Sequence, residues 1–321
     1  MKLAFIIDQL DSIKTAKDSS YAMICEAIAR GHQIDVIYQH DIALIDNTVT
    51  GFSRALTLSD TPQTNGHWYR TGDPVATPLH AFNAVLMRKD PPFDLEYVYS
   101  TYLLELAESQ GAWVINNPKA IRDHNEKLAI AQFPQFTAPT LVTSQPRLIR
   151  DFLDKHQDII LKPLDGMGGA SVFRVHSTDH NLSVIIETLT HYGTRTIMAQ
   201  RFIPEITQGD KRILLIAGQA VPHALARIPK PGETRGNLAA GGTGVAQPLS
   251  PRDREIAGSL GPELARRGLM LVGLDVIGDY LTEINVTSPT GMQEITQQTG
   301  FNVAGMMLDA IESEFKKRGI D

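Results

Sequence analysis

The sequence predicts an α/β chain that opens on a parallel sheet covered by helices and turns to an α+β texture for its remainder. Two observations carry this. Strand and helix patterns alternate over the first third, and from Ile159 onward strands follow one another through tight or glycine-rich turns. Length adds a third, because 321 residues exceed the roughly 100–200 of one ordinary domain and imply two or three.

In order along the chain, residues 3–7 form an apolar run of strand length, 19–30 a helix ended by Gly31, and 34–38 a second strand. Residues 84–87 are strand-like, 95–109 helical and 113–115 a short strand. The polar segment 57–77, rich in Gly, Pro and Thr, is expected to be a surface excursion. At Asn116-Asn117-Pro118 the texture changes, and later helices are expected near 182–190 and 252–267. There is no internal repeat.

A formal charge of −6 argues against nucleic acid or an anionic membrane as partner, so any phosphate handling must come from a local site. Cys25, the one cysteine, excludes an internal disulfide, and its apolar helical surroundings favour a buried thiol over a nucleophile. The opening apolar run meets Asp8 too soon for a secretory signal, and no stretch approaches the ~20 apolar residues of a membrane span. A reducing, cytoplasmic setting is expected.

Four segments carry chemistry. In the first, Lys162 stands near the end of a strand before a turn containing Gly166, Gly168 and Gly169, and a second strand follows. Glycines let backbone N–H groups close on an anion. No helix follows, so this is neither a P-loop nor a dinucleotide fingerprint; alone, it is also compatible with a plain glycine hairpin. In the second, two strand-like runs flank Gly278-Asp279. Period-two geometry puts Glu283 and Asn285 on one face, as hard oxygen donors suited to magnesium. A two-residue turn would set Asp275 opposite Thr282 and a three-residue turn opposite Glu283. If Asp275 is also a ligand, the three-residue, bulged form is expected. The third segment, 231–244, has five glycines and almost no large apolar residue, the composition of a closing loop or of a plain linker. In the fourth, Arg212 and Arg227 frame the preceding hairpin, where a guanidinium can brace a carboxylate or phosphoryl group.

Together with Lys17-Asp18-Ser19-Ser20, residues 87–94, Asn125-Glu126-Lys127, Ala226-Arg227-Ile228-Pro229 and residues 282–291, these segments resemble the ATP-grasp superfamily and, within it, the bacterial glutathione synthetases. The resemblance runs over essentially the whole chain. It implies a Rossmann-like pre-ATP-grasp domain over 1–122 on the peptide-substrate side, a central ATP-grasp lobe over 123–200, and a C-terminal lobe over 201–321 with the metal site and a lid at 230–244. It assigns Lys127 and Lys162 to nucleotide phosphates, with Gly166, Gly168, Gly169 and Asp210 beside them. Gln200, Arg201, Phe202 and Ile203 become the adenine hinge; a glutamate is frequent in such hinges where Gln200 stands. Asp275, Glu283 and Asn285 fall on metal positions for magnesium or manganese, two ions in all.

Ser288, Thr290 and Gly291 match the acceptor-amine loop, and Ser19, Ser20 and Arg88 lie where the peptide substrate would bind. Gly232, Arg235, Gly236, Asn237, Gly241 and Gly242 match the lid. The implied reaction joins γ-glutamylcysteine to glycine through an acyl phosphate, releasing ADP and phosphate, in a homotetramer. Arg212 is then the first choice for stabilising the tetrahedral oxyanion and Arg227 the second. Two other readings stay open at this point: another ATP-grasp carboxylate–amine ligase, such as a D-alanine–D-alanine ligase, and a nucleotide-binding module without catalysis.

Overall fold

The computed structural model describes residues 1–59, 67–233, 236 and 241–319. Eight strands form the first sheet: β1 (Lys2–Ile7), β2 (Gln33–Tyr38), β3 (Ile42–Ile45), β4 (Thr48–Leu58), β5 (Tyr69–Thr71), β6 (Val75–Pro78), β7 (Ala84–Met87) and β8 (Val114–Ile115). Its centre, β2-β1-β7-β8, is parallel as expected. The strands are buried on both faces, so they read as continuous apolar runs. Helix α1 (Ser19–Ala29) starts where Asp18 Oδ1 accepts the Tyr21 N–H at 2.7 Å. Helix α2 (Leu95–Ser109) starts in the same way on Asp94. In the 57–77 segment, expected as a surface excursion, β5 and most of β6 are largely exposed and pair with β4, adding antiparallel edge strands. Threonine and valine at alternate positions satisfy a strand even in a polar segment.

After α3 (Pro118–Asp123), a four-stranded antiparallel sheet of order β11-β10-β12-β9 comprises β9 (Thr140–Thr143), β10 (Asp158–Pro163), β11 (Phe173–His176) and β12 (Ile197–Arg201). Helices α4 (Pro146–His156) and α5 (Leu182–Thr190) cover it through Ile149, Leu153, Ile186 and Leu189. The third sheet, β16-β15-β13-β17-β18 with the short β14 (Gln219–Ala220) beside β13, is antiparallel. It contains β13 (Asp210–Ile216), β15 (His223–Ile228), β16 (Thr243–Pro248), β17 (Leu271–Ile277) and β18 (Tyr280–Asn285). Helix α6 (Pro251–Arg266) begins with a Ser250–Asp253 capping box. Helices α7 (Met292–Thr299) and α8 (Val303–Arg318) end the described chain, and α8 packs on α1.

The first and third sheets are joined through polar side chains. The buried amide of Asn116 donates to the carbonyls of Leu271 and Val286, each at 2.8 Å, and accepts from Leu271 N–H at 2.9 Å. No described helix is long and apolar enough to cross a membrane.

Candidate active site

A cavity of about 650 Å³ lies where the three sheets meet. The hairpin β17–β18 supplies its acidic wall. Asp275 pairs with Glu283 across the strands, as the metal reading required, and Gly273 pairs with Asn285. The route differs from the expected one. Ile277 pairs with Tyr280, so the turn has only two residues, and the extra residue is a bulge at Thr282 inside the strand. The bulge shifts register by one and returns Glu283 to the face of Asp275.

Asp275 is buried beneath two arginines. Arg212, its neighbour on β13, donates from Nε to Oδ1 at 2.5 Å and from Nη2 to Oδ2 at 3.0 Å. Arg227 Nη2 lies 2.8 Å from the same Oδ2 and 2.5 Å from Asp210 Oδ2. Burial alone would raise the Asp275 pKa, but Arg212 and then Arg227 outweigh it and hold the carboxyl well below the usual range. Asp210 moves the other way: burial, only partly offset by Arg227, pushes it up to about 7. Its Oδ1 is buried with no hydrogen-bond partner among the described residues. Among the described residues, each arginine uses three of its five N–H groups on these carboxylates and on backbone carbonyls, leaving two on each for a ligand. A Cβ at Gly273 would stand 2.9 Å from Arg212 Cδ, so glycine is what lets that side chain lie across the strand.

Lys127 and Lys162 are both buried and both point at Glu283, at 3.6 and 4.0 Å from its Oε1. Burial lowers the pKa of Lys162, and Glu283 opposes that shift. Asn125 positions the first lysine by capping the N–H groups of Lys127 and Leu128 while donating to Leu164 C=O at 3.1 Å; Lys127 Nζ in turn donates to Gly166 C=O at 2.6 Å. In the glycine turn, Gly168 and Gly169 have φ of 62° and 80°, backbone that favours glycine. Across the cavity, Gln200 is buried and donates to Thr140 Oγ1 at 3.1 Å. The N–H groups of Arg201 and Phe202 donate to Pro139 and Asp158 carbonyls, and Arg174 stacks 3.6 Å over the Phe202 ring.

On the opposite side, Arg88 is buried and braces the 287–291 loop. It donates to Ser20 Oγ at 3.1 Å, Thr287 C=O at 3.4 Å and Pro289 C=O at 3.1 Å. Ser19 Oγ accepts from Met292 N–H at 3.4 Å, and Ser288 donates to Asp90. Gly291, at φ 115°, lies against Arg212 Cγ, and the Thr290 carbonyl accepts from Arg212 Nη1 at 3.5 Å. Of the residues expected in a lid, Gly236 lines the cavity and has no room for a side chain, since a Cβ there would stand 2.4 Å from Arg227 C=O. Gly242 packs on Gly236 in the same way, Gly241 lies against Lys230, and Gly232 is in open space at φ 84°. Arg235 and Asn237 lie outside the described residues.

Glu126 and Glu294 are among the cavity residues that escaped sequence reasoning. Glu126 was visible only as part of Asn125-Glu126-Lys127; its carboxylate accepts from Thr287 Oγ1 at 3.0 Å, and burial followed by Glu283 raises its pKa. Glu294, in the first turn of α7, gave no signal beyond a polar helical position. The donor set of Asp275, Glu283 and Asn285, two carboxylates and an amide on one sheet face, fits a hard divalent cation; Asn285 Nδ2 donates to Gly273 C=O at 3.3 Å, which fixes the amide's orientation.

Comparison with known proteins agrees with this geometry. Residues 1–122 match the model of the prokaryotic glutathione synthetase N-terminal domain, and residues 126–300 that of the prokaryotic glutathione synthetase ATP-grasp domain. The chain belongs to the prokaryotic glutathione synthetase family. Among curated relatives of that name, the Nitrosomonas europaea protein is 69% identical over 99% of both chains. The Ralstonia nicotianae protein is 62% identical over 97% of this chain and 95% of its own. Solved structures share the fold at low identity. The D-cycloserine synthetase DcsG has a TM-score of 0.67 at 16% identity, covering 98% of this chain and 100% of its own. The ATP-grasp ligase PsnB, solved with a minimal precursor, Mg and ADP, has a TM-score of 0.62 at 17% identity and covers 98% of both chains. Family membership makes the chain an ATP-dependent ligase of carboxylate and amine, and sets aside the non-catalytic reading.

Proposed function

We propose that this cavity joins γ-glutamylcysteine to glycine, with ATP as co-substrate. The observation that carries the reading is the meeting of Arg212, Arg227 and Glu283 with Lys127 and Lys162 in one cavity, the two arginines resting on the buried Asp275. A carboxylate does not accept an amine at neutral pH, because oxide is too poor a leaving group. Transfer of the γ-phosphoryl group to the cysteinyl carboxylate, with ADP leaving, turns that oxygen into phosphate. The glycine amine then attacks the acyl carbon, the carbon–oxygen bond to phosphate breaks, and the proton released from the amine passes to the departing phosphate.

Lys127 and Lys162 hold the nucleotide phosphates against the glycine turn at Gly166, Gly168 and Gly169. Adenine sits at Gln200, Arg201, Phe202 and Ile203. Because the Arg201 N–H already donates to Pro139, Arg201 would offer its carbonyl there. Divalent cations, two magnesium or manganese ions in this reading, would bind at Asp275, Glu283 and Asn285 and supply charge neutralisation of the phosphates. The spare N–H groups of Arg212 and Arg227 face the developing oxyanion, where fixed donors act without reorganisation. Ser19, Ser20 and Arg88 shape the peptide side; Ser288, Thr290 and Gly291 shape the acceptor pocket. The 230–244 segment closes over the acyl phosphate against water.

The boundaries 1–122, 123–200 and 201–321, a cytoplasmic setting and a homotetramer belong to the same proposal. Exposed Tyr99, Tyr102 and Leu106 on one face of α2 supply apolar surface for assembly. The test is ADP release with ATP, magnesium, γ-glutamylcysteine and glycine, each omitted in turn, with product mass recorded. Dependence on all four with a glutathione mass is expected; ADP release indifferent to γ-glutamylcysteine would overturn the substrate assignment.

A further inference from the structure

Glu294 lines the cavity on the side of Lys17, Asp18 and Arg88, and its Oε2 is buried with no hydrogen-bond partner among the described residues. A buried acceptor left unmade costs about 1–3 kcal/mol and persists where a ligand completes it. Its placement is built by its neighbours. Gln293 Nε2 donates to the carbonyls of Thr15 and, at 3.2 Å, Asp18, and Met292 N–H donates to Ser19 Oγ, so the first turn of α7 grips the loop that carries Lys17. Burial raises the carboxyl pKa, while its own backbone N–H, Lys17 and Arg212 pull it back toward the charged form. The neighbouring carboxylate, Asp18, is already engaged as the N-cap of α1. Glu294 therefore combines an unpartnered carboxyl oxygen with Lys17 on the loop that the same helical turn holds, the pattern needed by a ligand that carries an ammonium beside a carboxylate.

We propose that Glu294 binds the α-ammonium group at the γ-glutamyl end of the donor peptide and makes the enzyme require it, Lys17 taking the adjacent α-carboxylate. The inference rests on the glutathione-forming reading. Of the two substrates, the acceptor glycine is the poorer match. Its amine must lose its proton before it attacks, and a carboxylate paired to it would favour the protonated form.

The experiment compares γ-glutamylcysteine with N-glutarylcysteine, the same molecule without the amino group, in the wild type and in Glu294→Gln. Wild-type turnover of γ-glutamylcysteine to a glutathione mass is measured first; its absence refutes the underlying reading and this proposal with it. The wild type is expected to prefer γ-glutamylcysteine about a hundredfold in kcat/KM, the scale of one charged hydrogen bond. Glu294→Gln should cut that preference to less than about threefold, by losing activity on γ-glutamylcysteine alone, with KM for ATP and glycine unchanged. An equal loss on both donors, or a rise in glycine KM instead, overturns the proposal. Should Glu294→Gln also lose ATP binding, Glu294→Asp replaces it. That variant keeps the charge but withdraws it by one methylene, so partial loss of discrimination supports the assignment and unchanged discrimination overturns it.

Discussion

The two walls of the cavity are built on opposite physical terms. On the β13–β15–β17–β18 wall, Arg212, Arg227 and Asp275 are each less than a tenth exposed and satisfy one another, so their charges are fixed before any ligand arrives. On the β10–β11 wall, the glycine turn is largely exposed and offers backbone N–H groups, with Lys127 held to it through one carbonyl. The contrast separates two tasks. Stabilising charge that appears during reaction needs donors that do not reorganise, whereas gripping a polyphosphate needs backbone that can close on it.

The sharpest way to break this comparison is Asp275→Ala. It leaves two buried guanidinium groups without their shared partner, so about 3–5 kcal/mol of stability in urea unfolding and about a thousandfold in ADP release should be lost. Asp275→Asn sharpens it through pH. The Asp275 pKa is lowered in the folded state, so its contribution is present above the ordinary aspartate range and is lost as pH falls below it. Wild-type stability should therefore drop more steeply below about pH 4 than that of Asp275→Asn. Lys162→Met should behave differently from Asp275→Ala. Turnover should fall about a hundredfold, but stability should stay within about 1 kcal/mol, because removing a buried ammonium also removes its desolvation cost. Gly168→Ala should cost about 1 kcal/mol of backbone strain and raise KM for ATP a few-fold, since nothing obstructs a Cβ there except its φ. A loss as large as that of Asp275→Ala would erase the distinction between the walls. Cys25→Ala should change turnover by less than about twofold. The thiol is half-buried in α1 and contacts Tyr21, and burial raises its pKa, the opposite of nucleophile activation.

The same contrast governs what could be read from sequence. Strand parity placed Glu283 and Asn285 together, because side-chain alternation is a property of the backbone. The turn length was misread: a bulge at Thr282 and a longer turn give the same register, and no residue type separates them. The parallel core strands were legible as apolar runs, while β5 and β6 were hidden by polar edge composition. Arg212 and Arg227 were visible as arginines framing one hairpin, but their convergence on one carboxylate depends on β17, distant in sequence, pairing with β13. Glu294 was not legible at all, since an unpartnered oxygen is a fact of packing.

Asn116 has a further consequence. One side-chain amide closes three backbone groups of β17 and the segment after β18 from the end of β8, and Arg88 repeats the arrangement at the 287–291 loop. The first and last thirds of the chain are thus tied through backbone acceptors rather than through paired side chains, so no single side-chain loss in the last third can undo the junction.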